Sequence, residues 1–224
     1  MLRIACACPS RDRPDDLVVM VESMIATSES ATALVYIDDD QLHLYMHHCD
    51  WEGKYGKRVK FSVGKQIGPA KSCEWLISTH KEYDVYGLMT DDAIFLTPGW
   101  DRYLSDRFEE FPGRIGVVSP DHEHGPWVNF PYVSRQWLDI VGWYVYPGVF
   151  HFCWDTVLEI LGEGSRIDYP NITQFGIKHF QRATVEPHHT RPDAMAFLGW
   201  CITERRGIVR KLREAISWKK EHPQ

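Results

Sequence analysis

Most of the signals that assign a sequence quickly are missing from this 224-residue chain. No apolar run approaches the ~18 residues a membrane-crossing helix needs. The opening MLRIACACPSRDRP breaks at Pro9 and runs into charge, too early for a secretory signal, so a cytoplasmic setting is expected. The six cysteines (6, 8, 49, 73, 153 and 201) form no C-x-x-C pair, which argues against a disulfide framework or a four-cysteine zinc module and for reduced thiols. There is no G-x-G-x-x-G and no G-x-x-x-x-G-K-[ST], so the glycine loops of dinucleotide-binding dehydrogenases and P-loop kinases are absent. The lack of a G-x-S-x-G elbow speaks against an α/β-hydrolase. Nor is there a basic excess: 25 Lys and Arg face 31 Asp and Glu, a formal net charge of −6, which is no broad footprint for nucleic acid.

What is present is ordinary globular composition, 44% hydrophobic and 25% charged, which excludes wholesale disorder, a collagen-like repeat and a coiled coil. Aromatics are plentiful at 13%, with nine Trp and ten Tyr; they suit a core of large rings or a surface that stacks on flat ligands. Charge is uneven. Residues 204–224 hold seven Lys and Arg against three Glu. A final basic helix is expected there, over about 203–220, behind one domain of residues 1–203.

Period and punctuation predict the elements of that domain. Residues 2–8 (LRIACAC) read as a buried strand ending at a Pro-Ser-Arg turn. Pro14 with Asp15 and Asp16 opens a helix to about residue 28, since proline fits the first turn and carboxylates suit its positive end. Residues 33–37 form a second strand that stops at Asp38-Asp39-Asp40, and 58–63 a short third one. Gly68-Pro69 starts a helix to about residue 79, and 85–89 is a core strand ending at Thr90-Asp91-Asp92. A helix from Trp100 to Phe108 and a strand from Ile115 to Val118 follow. Later, Ser134 caps a helix to about Gly142, another helix runs from about Trp154 to Leu161, and 185–195 reads as loop. Alternation of strand and helix predicts an α/β fold with a mostly parallel sheet and flanking helices. About 1–100 would form a nucleotide half and about 101–203 an acceptor half.

Two acidic clusters, Asp38–Asp40 and Asp91–Asp92, therefore fall at carboxyl ends of strands, the edge where open α/β sheets bind ligands. One such cluster reads as loop capping. Two on one edge point to a site for Mg²⁺ or Mn²⁺, which prefer hard oxygen donors. With no glycine loop, phosphates would be neutralised by that metal and by side chains such as Arg11. Asp121-His122-Glu123-His124 lacks zinc spacing and reads as an acceptor-side loop, and His188-His189 as loop. Trp127, Trp137, Trp143, Trp154 and Trp200 are candidates for an acceptor platform, at least three of them for the core.

The succession strand–Pro-Ser-Arg-x-Arg-Pro–helix, strand–Ile-Asp-Asp-Asp, Gly-Pro-Ala-Lys-Ser, Gly-Leu-Met-Thr-Asp-Asp-Ala-Ile-Phe resembles the GT-A fold glycosyltransferases over residues 3–181. It is most similar to the family-2-like group, which includes short versions encoded by bacteriophages. The resemblance implies that Pro9, Ser10 and Arg11 hold the nucleotide of a UDP-sugar or similar donor. Asp38 or Asp39 would meet base or ribose, and Lys71 would approach the nucleotide. Thr90-Asp91-Asp92 takes the place of the Asp-x-Asp motif, with Thr90 as a departure. Asp92 becomes the direct ligand of Mn²⁺ or Mg²⁺, with Asp91 second or water-mediated, and His179 completes the metal site. Asp155, at a helix start, is implied as the catalytic base of an inverting transfer. The acceptors implied are a hydroxymethylated pyrimidine in DNA or a saccharide. A non-catalytic nucleotide- or carbohydrate-binding module and a nucleotidyltransferase are the competing classes.

Overall fold

The computed structural model describes residues 1–46, 51–121, 130–148, 154–164, 172–179 and 190–222. In chain order the elements are β1 (Ile4–Ser10), α1 (Pro14–Thr27), β2 (Thr32–Asp38), α2 (Leu42–Tyr45), α3 (Trp51–Tyr55), β3 (Val59–Gly64), α4 (Pro69–Thr79), β4 (Val85–Leu88) and β5 (Ala93–Phe95). They continue with α5 (Trp100–Glu110), β6 (Val117–Val118), β7 (Pro120–Asp121), β8 (Tyr132–Ser134), α6 (Arg135–Val141), α7 (Trp154–Gly164), β9 (Ile172–His179), α8 (Thr190–Thr203) and α9 (Arg205–Glu221).

The main sheet has the order β3-β2-β1-β4-β8-β6. β1 pairs in parallel with both β2 and β4, and β2 in parallel with β3. β8 runs antiparallel between β4 and β6. The two-residue period of a strand explains why β1 and β2 are apolar throughout: each face meets a different core. Ile4, Cys6 and Cys8 of β1, with Ala33, Val35 and Ile37 of β2, pack beneath α1 (Leu17, Met20, Val21, Met24) and α5 (Trp100, Leu104, Phe108). Ala5, Ala7, Leu34 and Tyr36 point the other way, onto Cys73, Leu76 and Ile77 of α4 and the cluster around Trp137, Val157 and Trp200. α9 sets Leu212 and Ile216 into this second core.

Local chemistry accounts for the helix ends. Pro14 and Pro69 stand in first turns, Gly68 takes φ +83° ahead of α4, and Ser134 accepts the Trp137 amide at 3.2 Å to cap α6. Gly142 closes α6 in the left-handed conformation. The structure departs from expectation in three places. β5 and β8 are three residues long, too short to display a period, and β9 was not anticipated. Residues 190–195, expected as loop, instead open α8; Pro192 reads as a breaker in sequence but is tolerated in a helix's first turn. Among the proposed platform residues, Trp137 and Trp200 are fully buried core, and Trp143 is half-buried against Tyr146.

Candidate active site

The chain winds outward from β1 to β2 and β3 on one side, then returns through α4 to β4 on the other side. The sheet order therefore reverses between β1 and β4, and ligands of open α/β sheets bind in the crevice at such a switch point. The loops after β1, β2 and β4 share this edge, because the three strands are parallel neighbours.

The β1 loop holds the three together. Asp12 adopts φ +60°, a left-handed turn that Asp tolerates better than most residues, and the arginines on either side of it reach opposite flanks. Arg11 turns toward β2: Nη1 donates to Asp38 Oδ2 and Asp40 Oδ1, both at 2.8 Å, and Nη2 to Asp40 Oδ2 at 2.7 Å. This hydrogen-bonded cation holds the Asp40 carboxyl below its ordinary range. Arg13 turns toward β4, where Nη1 lies 3.4 Å from Asp91 Oδ1 and 3.1 Å from Asp92 Oδ2. Asp38, Asp91 and Asp92 are buried; Asp39 and Asp40 are exposed.

A directional chain of hydrogen bonds spans the crevice. Ser10 Oγ donates to Asp91 Oδ2 at 2.8 Å, so the Tyr45 hydroxyl, also 2.8 Å from Ser10 Oγ, is the donor to it. Tyr45 Oη in turn accepts the Arg13 amide at 3.3 Å. Burial pushes the Asp91 carboxyl up to about 6, a rise that the Ser10 hydrogen bond and the Arg13 charge oppose and the Asp92 charge reinforces. A buried carboxyl perturbed by desolvation and a named charge, in a cleft, is the kind of group functional sites use.

The expected site residues fall into three groups. Ser10, Arg11, Asp38, Asp91 and Asp92 come together as described; Pro9 is the half-buried penultimate residue of β1. Lys71 is exposed in the first turn of α4, on the same sheet edge but apart from the ion-paired cluster, and Asp39 faces solvent. Asp155 and His179 have described backbone only, and their side chains lie outside the described residues, as do residues 122–124 and 188–189. The backbone is informative for His179. β9 pairs antiparallel with β5 in a register that sets His179 opposite Ala93, next after Asp92. Asp155 is the second residue of α7, as its expected place at a helix start requires.

Sequence reasoning missed Arg13, Tyr45 and Asp40. Arg13 stood in the same Pro-Ser-Arg-x-Arg-Pro segment as Arg11, which was the available signal; nothing local marked Tyr45.

The donors suit a divalent cation: two buried carboxylates, hard oxygen ligands, converge on one cation already, the Arg13 guanidinium. Among the described residues no group of three His, Cys, Asp or Glu side chains could hold a metal ion, and His179 is the candidate third donor by register.

No protein-family model matches this chain, and no curated protein matches it. Solved structures do. Residues 1–349 of S. aureus TarS in complex with UDP align with 99% of this chain over 73% of that chain, at 13% identity and a TM-score of 0.61. The same TarS segment in complex with UDP-GlcNAc aligns at 12% identity and a TM-score of 0.59. GalNAc-T7 with UDP, GalNAc and Mn²⁺ aligns with all of this chain at 10% identity and a TM-score of 0.74. This chain spans 56% of the GalNAc-T7 chain, and 56% of TarS 1–349 in a further match. At such identities the likeness is one of fold: an α/β, mostly parallel GT-A sheet with flanking helices in a single domain.

Proposed function

We propose that the chain is a glycosyltransferase that moves a sugar from a nucleotide-diphosphate sugar, a UDP-sugar in the first instance, to an acceptor hydroxyl with inversion. The observation that carries this reading is the Arg13–Asp91–Asp92 cluster, tied to β1 by Ser10, at the β1/β4 switch point. The complexes in which the TarS and GalNAc-T7 structures hold UDP, UDP-GlcNAc, GalNAc and Mn²⁺ support it.

In this reading Asp92, with Asp91 and His179, would hold Mn²⁺ or Mg²⁺. The ion's chemistry when bound is to offset the negative charge that develops on the departing diphosphate. Arg11 and Lys71 bring cations to the same sheet edge, and Pro9 and Ser10 shape the nucleotide side of the crevice. Asp38 and Asp39 are the candidates for base or ribose; Asp38 is buried under Arg11, while Asp39 is open to solvent. Asp155 is the proposed base. An acceptor hydroxyl ionises far too weakly at neutral pH, so a positioned carboxylate must accept its proton as it attacks. Of the two implied acceptors, hydroxymethylated pyrimidine DNA takes its support from the exposed cations of α9, and a saccharide from the net charge of −6.

A donor screen tests the reading: each nucleotide sugar, with and without Mn²⁺, with hydroxymethylated DNA or free sugars as acceptor, reading nucleotide release. Mn²⁺-dependent release of UDP is expected. Binding without turnover would turn the assignment to a binding module, and pyrophosphate release to a nucleotidyltransferase.

A further inference from the structure

The carboxyl-terminal helices present a face that the donor site does not use. α8 passes into α9 through Glu204, whose amide bonds the Trp200 carbonyl at 3.0 Å and whose own carbonyl accepts the Ile208 amide at 3.2 Å. Helical spacing therefore carries across the junction. On the inner side Trp200, Leu212 and Ile216 are buried, with Phe197, Cys201, Ile208 and Val209 packed against the same core. On the outer side stand Met195, Leu198 and Ile202, with 64%, 53% and 80% of their surface exposed, followed by exposed Arg206, Arg210, Arg213 and Lys220. Met195, Ile202, Arg206, Arg213 and Lys220 are separated by seven, four, seven and seven residues. These spacings return each to nearly the same line on a 3.6-residue helix.

One exposed aliphatic residue on a protein surface needs no explanation, but three in register on one helix face form a patch. The patch continues directly into a row of cations. We propose that this stripe docks the protein on an anionic lipid surface, the aliphatic side chains entering the headgroup–acyl boundary and the cations meeting lipid phosphates.

The composition of the stripe selects this occupant. Duplex nucleic acid would engage Arg206, Arg210 and Arg213 but offers phosphates, not apolar surface, to Met195, Leu198 and Ile202. A second copy in a two-fold contact would set each arginine row near its own image. Glu214 lies 4.0 Å from Arg210, but both are largely exposed, and such a pair is a weak brake on a surface that is cationic in sum. The proposal is independent of the activity assigned to the crevice.

The test is co-flotation of the full chain with phosphatidylcholine vesicles with and without phosphatidylglycerol, at low and high salt. Binding is expected only to the anionic vesicles, and weaker at high salt. Each cation near such a surface is worth about fivefold in partition, so Arg206→Gln/Arg210→Gln/Arg213→Gln should lower binding about a hundredfold. Ile202→Ser alone should lower it roughly tenfold, the effect of removing one aliphatic side chain from an apolar environment. All of these side chains are exposed, and circular dichroism melts unchanged from wild type will show that the variants fold. Failure of the wild type to float with anionic vesicles would overturn the proposal. So would an Ile202→Ser variant that floats as well as wild type, or retention on duplex DNA alone, which would reassign the cations to nucleic acid.

Discussion

Asp91 should limit the stability of the fold that it serves. Moving its carboxyl from the ordinary 3.8 to about 6 by burial corresponds to about 3 kcal/mol held against the ionised form at neutral pH. The sign follows from proton linkage: a carboxyl whose folded value is raised binds its proton more tightly in the folded state. This group's contribution therefore falls as pH rises from about 4 to about 6 and stays low above that. Asp91→Asn removes the charge and keeps the shape. Its amide oxygen can still accept from Ser10, which leaves an N–H group facing Arg13 Nη1, where Asp91 Oδ1 now lies at 3.4 Å, a loss of about 1 kcal/mol. The net expectation is a gain of about 2 kcal/mol at pH 7, or roughly 4–8 °C in melting temperature for a domain of this size. At pH 4 the wild-type carboxyl is already protonated in the folded state, so the gain should vanish or reverse. Melting of both proteins across pH 4–8 by calorimetry, without metal, measures the difference directly. A variant less stable than wild type at pH 7, or a difference that does not change with pH, would refute the reasoning. Transfer activity should fall in the same variant, since a site that stores destabilisation commonly does so for its chemistry.

Three further outcomes are expected. Asp92→Ala should abolish transfer and weaken nucleotide-sugar binding measured calorimetrically with Mn²⁺, and EDTA should abolish wild-type turnover; full activity in excess EDTA would remove the metal assignment. Asp155→Asn should leave donor affinity nearly unchanged and lower kcat by about 10²–10⁴, the usual contribution of a general base; a smaller loss would move the base elsewhere, Asp121 being next. Gly87→Ala would place a Cβ 2.3 Å from the ring of Tyr132, itself fully buried, and should cost about 1–3 kcal/mol by urea unfolding with the donor site untouched.

The comparison of sequence with structure turns on range. β1, α1, β2, α4, β4, α5, α6, α7 and α9 were legible because each is written locally: an apolar run that ends in acids, a proline in a first turn, a serine that caps, a glycine that closes. The carboxyl-edge position of Asp38 and Asp91–Asp92 followed, since a run of β-forming residues that stops at carboxylates fixes which end of the strand carries them. Tertiary structure alone decided how those carboxylates are used. The partners of Arg13 are 78 and 79 residues away, Ser10 meets Asp91 across 81 residues, and Tyr45 joins from a four-residue helix with no pattern to read. That Arg11 grips Asp40 rather than Asp39 depends on the 3-10 turn after β2. The pairing that sets His179 opposite Ala93 joins a strand of three residues to one 78 positions later. Composition and period determine which segments become strands and helices and which of their ends carry charge. Which charges meet is set by the order of strands in the sheet, and that order is a property of the packed chain.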